Sequence, residues 1–288
     1  MNTKKKTIAA LVWSVGASGL LSTSAWAQVS AGPTPPPEAG SPATQTAAEA
    51  QAPAKRLTFT TGVDFTSAYF FRGIRQHAGG TIAQPYADLG IALGHGVTAN
   101  VGGWESVHSS APNGNWYESD YYGSVTFTAG KLKPGVLFTS YTSPADSFAT
   151  VHELAGVLGI DDSASPFPLS PKVVLAFELS DGQADGGFNK GTYLELGIRP
   201  TIKVAEKLTF AIPVKLGLSL KDYYESYSDR FGFLDAGLQA SVPVASGRGG
   251  ALEAHGGVSF LRLGGNLNAL NEGDSFKPIG IIGFTFTY

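Results

Sequence analysis

Residues 208–220 read Leu208-Thr209-Phe210-Ala211-Ile212-Pro213-Val214-Lys215-Leu216-Gly217-Leu218-Ser219-Leu220. Every even-numbered side chain is apolar. The positions between hold Thr209, Ala211, Lys215, Gly217 and Ser219. In a β-strand successive side chains point to opposite faces, so a strict period of two over this length describes a strand with one greasy face and one small, polar face.

The same period recurs on both sides of this stretch. Upstream, Leu194, Leu196 and Ile198 alternate with Tyr193, Glu195 and Arg199, and Val173, Leu175, Phe177 and Leu179 alternate with Ala176 and Glu178. Near the start, Leu57, Phe59, Val63, Phe65, Tyr69 and Phe71 fall on one face, and Thr58, Thr60, Asp64 and Arg72 on the other. Candidate strands are 57–71, 82–93, 96–107, 116–129, 135–142, 150–160, 172–179, 191–202, 207–220, 231–242, 251–261 and 279–288, about twelve, and single-chain bacterial barrels have an even number. A soluble antiparallel sandwich also alternates. These apolar faces run ~9–11 residues, the length of a tilted membrane strand rather than of an ordinary soluble one.

Links also alternate in length. Short ones are expected at Gly94-His95, Ala129 to Pro134 and Lys203 to Glu206, and longer polar ones at 72–81, 108–115, 180–190, 221–230 and 262–278. Short periplasmic turns and long outer loops are the pattern of outer-membrane barrels, although 161–171 is long for a turn. The reading is an all-β fold, a transmembrane up-and-down antiparallel β-barrel of about 12 strands over residues 56–288.

The N-terminus carries an export signal. Lys4, Lys5 and Lys6 precede the apolar stretch Ile8 to Leu21, and Ala25-Trp26-Ala27 precedes Gln28. This is the layout of a secretory signal peptide (1–27), with cleavage expected after Ala27. Residues 28–55 are rich in Ala, Pro, Thr and Glu, with Pro33, Pro35, Pro36 and Pro37 and few large apolar side chains. Such a segment buries too little surface to offset its ordering entropy and reads as a disordered periplasmic tail.

Composition narrows the function classes. The 288 residues include no cysteine, which removes disulfides, thiolate metal sites, cysteine nucleophiles and a lipid anchor on an N-terminal cysteine. Charged residues are only 15% and the net charge is -3, too small to argue for a nucleic-acid partner. His77, His95, His152 and His255 lie on separate elements without metal-ligand spacing, and no glycine-rich phosphate loop is present, so no cofactor or metal is expected.

A cation facing lipid at the midplane costs ~2–4 kcal/mol, so charges belong inside. The expected lumen set is Asp64, Asp88, Glu178, Glu195, Asp235 and Glu253 against Arg72, Arg199 and Lys215. It is either a selectivity ring with a mild cation preference or a network of propping ion pairs. Aromatics cluster near strand ends (Tyr69 to Phe71, Trp116 and Tyr117, Tyr121 and Tyr122, Tyr223, Tyr224 and Tyr227) and would form interfacial girdles. The chain ends Gly283-Phe284-Thr285-Phe286-Thr287-Tyr288, similar to the C-terminal signature read by the barrel-assembly machinery.

Three roles follow: passive passage of small solutes or ions across an outer membrane, a closed adhesion barrel, or a lipid hydrolase. The adhesion role would use loop 219–232, where Tyr223, Tyr224 and Tyr227 stand beside Lys221, Asp222, Glu225, Asp229 and Arg230. Hydrolysis would use the His108-x-Ser110 spacing, which faintly resembles outer-membrane phospholipases. Alternation puts that pair on the lumen side, and Pro112-Asn113-Gly114 reads as a turn, so no catalysis is expected.

The segment Gly62 to Gln76 ends Phe71-Arg72-Gly73-Ile74-Arg75-Gln76. A strand closing on aromatic-Arg-Gly-Ile-x-Gln resembles the TorF-type, or Gcw-type, porin family of proteobacterial outer-membrane proteins. Pro85, Trp104-Glu105-Ser106 and Glu118-Ser119-Asp120-Tyr121-Tyr122-Gly123 look like further elements of that pattern. The resemblance covers the first third of the barrel and implies a porin-like role without a defined substrate.

Overall fold

A computed structural model describes residues 56–110, 113–179, 183–224 and 230–288. The expected leader (1–27) and tail (28–55), together with Pro112, Glu225, Tyr227 and Asp229, lie outside the described residues.

The chain forms one antiparallel sheet of fourteen segments: β1 (Leu57–Phe71), β2 (Ile74–Gly94), β3 (Val97–His108), β4 (Trp116–Phe127), β5 (Leu132–Thr142), β6 (Val151–Ile160), β7 (Lys172–Glu178), β8 (Thr192–Ile198), β9 (Thr201–Ala205), β10 (Leu208–Ala211), β11 (Val214–Lys221), β12 (Phe231–Gly247), β13 (Gly250–Leu263) and β14 (Phe276–Thr287). Two breaks fall at prolines. Pro200 separates β8 from β9, and Pro213 separates β10 from β11. Proline has no N–H to give to a ladder. The chain nevertheless runs on through each break: the Ile212 N–H donates to Pro200 O at 2.9 Å, and the Gly237 N–H to Pro213 O at 2.9 Å. Joined across their prolines, the segments make a closed barrel of twelve staves.

Each stave pairs with the next in sequence, and β1 closes on β14 from Thr60↔Thr287 to Thr66↔Ile281. The sheet thus closes on itself, and among the described residues no stave of the wall is left as a free edge strand. Both ends of the sheet, together with the turns 95–96, 128–131 and 206–207 and the longer 161–171, lie at one rim. The other rim carries 109–110, 113–115, 143–150, 183–191, 222–224 and 264–275.

Burial is inverted relative to a soluble barrel. The exterior bears Phe59, Phe65, Val101, Val125, Val136, Leu154, Val173, Leu196, Leu238, Phe260, Ile282 and Phe284, with Val136 at 55% and Ile282 at 65% exposure. Soluble monomers do not carry a continuous apolar belt of this extent, and a barrel sitting in hydrocarbon requires one. Inward positions are polar or small: on β10 and β11, Thr209, Ala211, Lys215 and Ser219 are all buried.

The expected link 72–81 is not a loop. β1 pairs with β14 as far as Thr66, and β2 pairs with β3 from Ile82 onward. Beyond those points the two strands pair only with each other, Ala68↔Ala78 through Phe71↔Ile74, after register shifts at Thr66/Ala68 and Tyr69/Phe70. Gly79 and Gly80 take positive φ opposite the first shift, a bulge that L side chains resist. Residues 68–74 are all buried. The freed ribbon therefore turns off the wall and into the mouth. Tyr69 and Phe71, expected on the lipid face, lie inside because the ribbon has left the wall and both of its faces are covered.

Candidate functional site

The hairpin turns at Arg72-Gly73, both with positive φ (46° and 83°), the backbone signature of a type I′ two-residue turn. Glycine is needed at the second position, since a Cβ there would stand 2.6 Å from Leu267 Cδ1. Arginine at a left-handed position costs ~1–2 kcal/mol and persists where its surroundings over-determine it.

Those surroundings lie on the opposite wall. The Arg72 guanidinium forms a two-pronged ion pair with Glu153 on β6: Nη2 donates to Oε1 at 2.7 Å, and Nη1 donates to Oε2. Nη1 also donates to the Tyr223 hydroxyl at 2.8 Å. The guanidinium carbon lies 4.2 Å from the centre of the Tyr193 ring on β8 and 5.3 Å from that of Tyr223. Tyr141 donates to Glu153 Oε1 at 3.2 Å, which helps to fix the carboxylate. A planar guanidinium is held by a planar carboxylate along its edge and by ring faces across its plane.

The backbone of the tip is fastened too. Tyr224 donates to Arg72 O at 2.7 Å, the Asn271 side-chain amide donates to Gly73 O at 2.8 Å, and the Arg75 N–H donates to Asn271 Oδ1 at 2.7 Å. Farther down the hairpin, Tyr69 donates to Glu118 at 2.7 Å and packs on Trp104 at 5.3 Å between ring centres. Phe71 meets Tyr141 edge-on at 5.1 Å. Tyr117 donates to the Gln76 side chain at 2.5 Å. Phe70, Phe233, Leu261, Leu267 and Ile279 complete an apolar core in which each is fully buried. A pocket of about 40 Å³ remains beside Phe71, Gln76 and Tyr141, room for a few waters.

The motif residues Phe71 to Gln76 thus make the plug, and Trp104 and Glu118 make part of its seat. Glu153 and Tyr193 complete that seat, and neither stands out as functional in the sequence. The available signal for Glu153 is a lone carboxylate on the face that also carries Val151 and Ala155, both buried. The girdle expectation is corrected for most of its aromatics. Tyr69, Phe70, Phe71, Tyr122, Tyr223 and Tyr224 are buried inside, whereas Trp116 and Tyr121 face out at 53% and 56% exposure.

The remaining charged residues of the expected lumen set lie along the inner wall, Glu178 and Glu195 beside the seat of Arg72 and the others farther from it. Asp64 takes a 2.7 Å hydrogen bond with His255 Nε2, and Asp88 accepts from Asn100 at 2.7 Å. Glu178 accepts the backbone N–H groups of Ala184 and Gly191 at 2.7 and 2.6 Å, which pins the following loop. Glu195 accepts from Tyr193 at 2.9 Å, and Arg199 donates to Gln239. Lys215 stands opposite Asp235 across the β11–β12 ladder, and Glu253 is buried on β13. Arg72 is the one member of the set carried by the plug. The structure joins Arg72 to Glu153, a residue outside the set.

The hydrolase geometry is not formed. His108 Nε2 lies 2.8 Å from the hydroxyl of Ser106, not of Ser110, and both residues are sealed at 0% exposure. Ser110 is exposed in the rim turn, contrary to the lumenal position expected for it. His108 stacks between His77 and Tyr117, at 4.3 and 4.7 Å. No cluster of three or more histidine and carboxylate side chains able to hold a metal ion occurs among the described residues.

No family model matches the chain, and no curated protein matches it in sequence. Among solved structures it is similar to the NanC porin, at 12% identity over 80% of this chain and 98% of that one, with a TM-score of 0.48. It is also similar to the translocator domain of the autotransporter NalP from Neisseria meningitidis (14%, 80% and 87%, 0.41) and to Salmonella typhi OmpF in complex with daunomycin (8%, 81% and 97%, 0.38). At these identities and scores the likeness carries no argument about function.

Proposed function

We propose that this chain is a porin-like barrel of the bacterial outer membrane that passes small solutes or ions, and that the fold described here is its closed state. The observation that carries the reading is the inverted wall: a continuous apolar exterior around a polar interior. An interior holding Asp64, Asp88, Glu195, Arg199, Lys215, Asp235 and Glu253 needs water or a permeant, while the exterior needs lipid. The acidic excess gives a cation preference. Export follows from the leader and its cleavage after Ala27, and insertion from recognition of the strand ending at Tyr288 by the barrel-assembly machinery. The rim holding Arg56 and Tyr288 faces the periplasm, and the plugged mouth faces outward. The resemblance of Phe71 to Gln76 to the motif of TorF-type porins supports the same class. Neither a cofactor nor an enzymatic step is part of the reading.

The filled mouth favours a second reading, a permanently closed barrel whose outer loops bind a partner. Single-channel recording of the refolded mature protein in a planar bilayer under a salt gradient separates the two. The plugged barrel should open rarely. A variant in which residues 67–81 are replaced by an Asn-Gly turn should give persistent, stepwise, cation-selective current. Silence from that variant, with its barrel folded, overturns the porin reading. An anion-selective reversal potential overturns the acidic-lumen part alone.

A further inference from the structure

We propose that the mouth contains a binding site for guanidinium-bearing solutes, which the chain's own Arg72 fills as a tethered occupant. The inference rests on the porin reading for its physiological meaning, but the site stands on geometry of its own. Its parts come from the wall and a rim loop rather than from the hairpin: Glu153 on β6, Tyr193 on β8 and Tyr223 just beyond β11. Together they take one edge of a guanidinium through a two-pronged carboxylate contact, one further N–H through the Tyr223 hydroxyl, and one face through a ring at 4.2 Å. A structural ion pair needs only the carboxylate. The aromatic face and the extra hydroxyl acceptor are what recognition of a free guanidinium requires.

The occupant is presented in a manner unlike a wall residue. Arg72 sits at the tip of a two-stranded ribbon with no lateral partners, on a left-handed backbone conformation that arginine disfavours. Strain of this kind, at the tip of an element that leaves the wall, points to a role for the side chain beyond packing. When the ribbon withdraws, Glu153 keeps its place on a stave and is left without its cation. A solute carrying the same group fits that seat, and arginine or a short arginine peptide has the right head. The seat would then select what enters the pore, and the ribbon would close it by mimicking the permeant.

Chemical complementation tests this without requiring current. Arg72→Ala in the full chain vacates the seat and should lower the unfolding midpoint. Millimolar methylguanidinium should recover a substantial part of that loss, tetramethylammonium at equal concentration should not, and in Glu153→Gln neither should act. As a second measurement, methylguanidinium should block the current of the 67–81 replacement variant, and Glu153→Gln in that background should abolish the block. Failure of rescue in folded Arg72→Ala, or rescue and block that persist in Glu153→Gln, overturns the site. Current that flows but is not blocked defeats the site and leaves the pore intact. Rescue without any current defeats the pore and leaves the site.

Discussion

The two ends of this barrel use one wall to enclose different materials. Around the hairpin tip, large apolar and aromatic side chains fill the interior and enclose the Arg72–Glu153 pair. Phe70, Tyr193, Phe233, Leu261, Leu267 and Ile279 are all sealed from solvent. Toward the chain ends the inward positions carry the pairs Asp64 with His255, Asp88 with Asn100, and Tyr86 with Thr285, the last at 2.6 Å. The exterior does not change between the two regions. The outer face is apolar at both levels, whereas the inner face follows whatever fills the lumen at each level.

This contrast can be broken by substitution. The largest effect belongs to the charge pair that spans the mouth. Arg72→Ala strands the Glu153 carboxylate in a dry site and should cost about 3–5 kcal/mol, read as the urea-unfolding free energy in lipid vesicles. Replacing both partners by apolar residues of similar volume should recover most of that loss, so a double-mutant cycle should show strong coupling. Phe233→Ala, in the same core, should cost about 3–4 kcal/mol by cavity formation, visible as a lower midpoint with little change in slope.

Gly73→Ala tests the turn. The methyl would meet Leu267 on a backbone at φ 83°, and a loss of about 1–3 kcal/mol is expected, together with longer channel openings as the tip is loosened. In the polar half, Asp64→Asn keeps a hydrogen-bonding partner for His255 and should cost only about 1 kcal/mol. Its larger consequence should be a reversal potential moved away from cations. Outward Phe284→Ala should change stability by no more than about 1 kcal/mol and leave conductance unaltered, since lipid fills the vacated space. If the Asp64 variant proved more damaging than the Arg72 variant, the division into a packed mouth and a permissive lumen would fail.

Much of this could be read in advance from particular residues. Leu208 to Leu220 announced a two-faced strand, and its buried Thr209, Lys215 and Ser219 sit on the face that alternation assigns to them. Alternation failed first at Thr66 to Phe71, where the ribbon leaves the wall at a bulge and several successive residues lie inside. A bulge leaves little trace in composition beyond Gly79-Gly80. The girdle assignment failed for a related reason. A tyrosine with one apolar and one polar end suits a membrane interface, but it suits equally well a plugged mouth where its hydroxyl meets Glu118, as Tyr69 does, or Arg72 O, as Tyr224 does.

The sequence by itself determined the strands, their two faces and the closed wall with its apolar exterior, because side-chain direction in a strand repeats every two residues and each stave pairs with its neighbour in the chain. Only the tertiary structure decided where the first hairpin goes and what Arg72 meets. Glu153 and Tyr193 lie far along the chain and across the lumen, brought together by the curvature of the closed sheet. A pairing across a barrel leaves no periodic mark in the residues that make it.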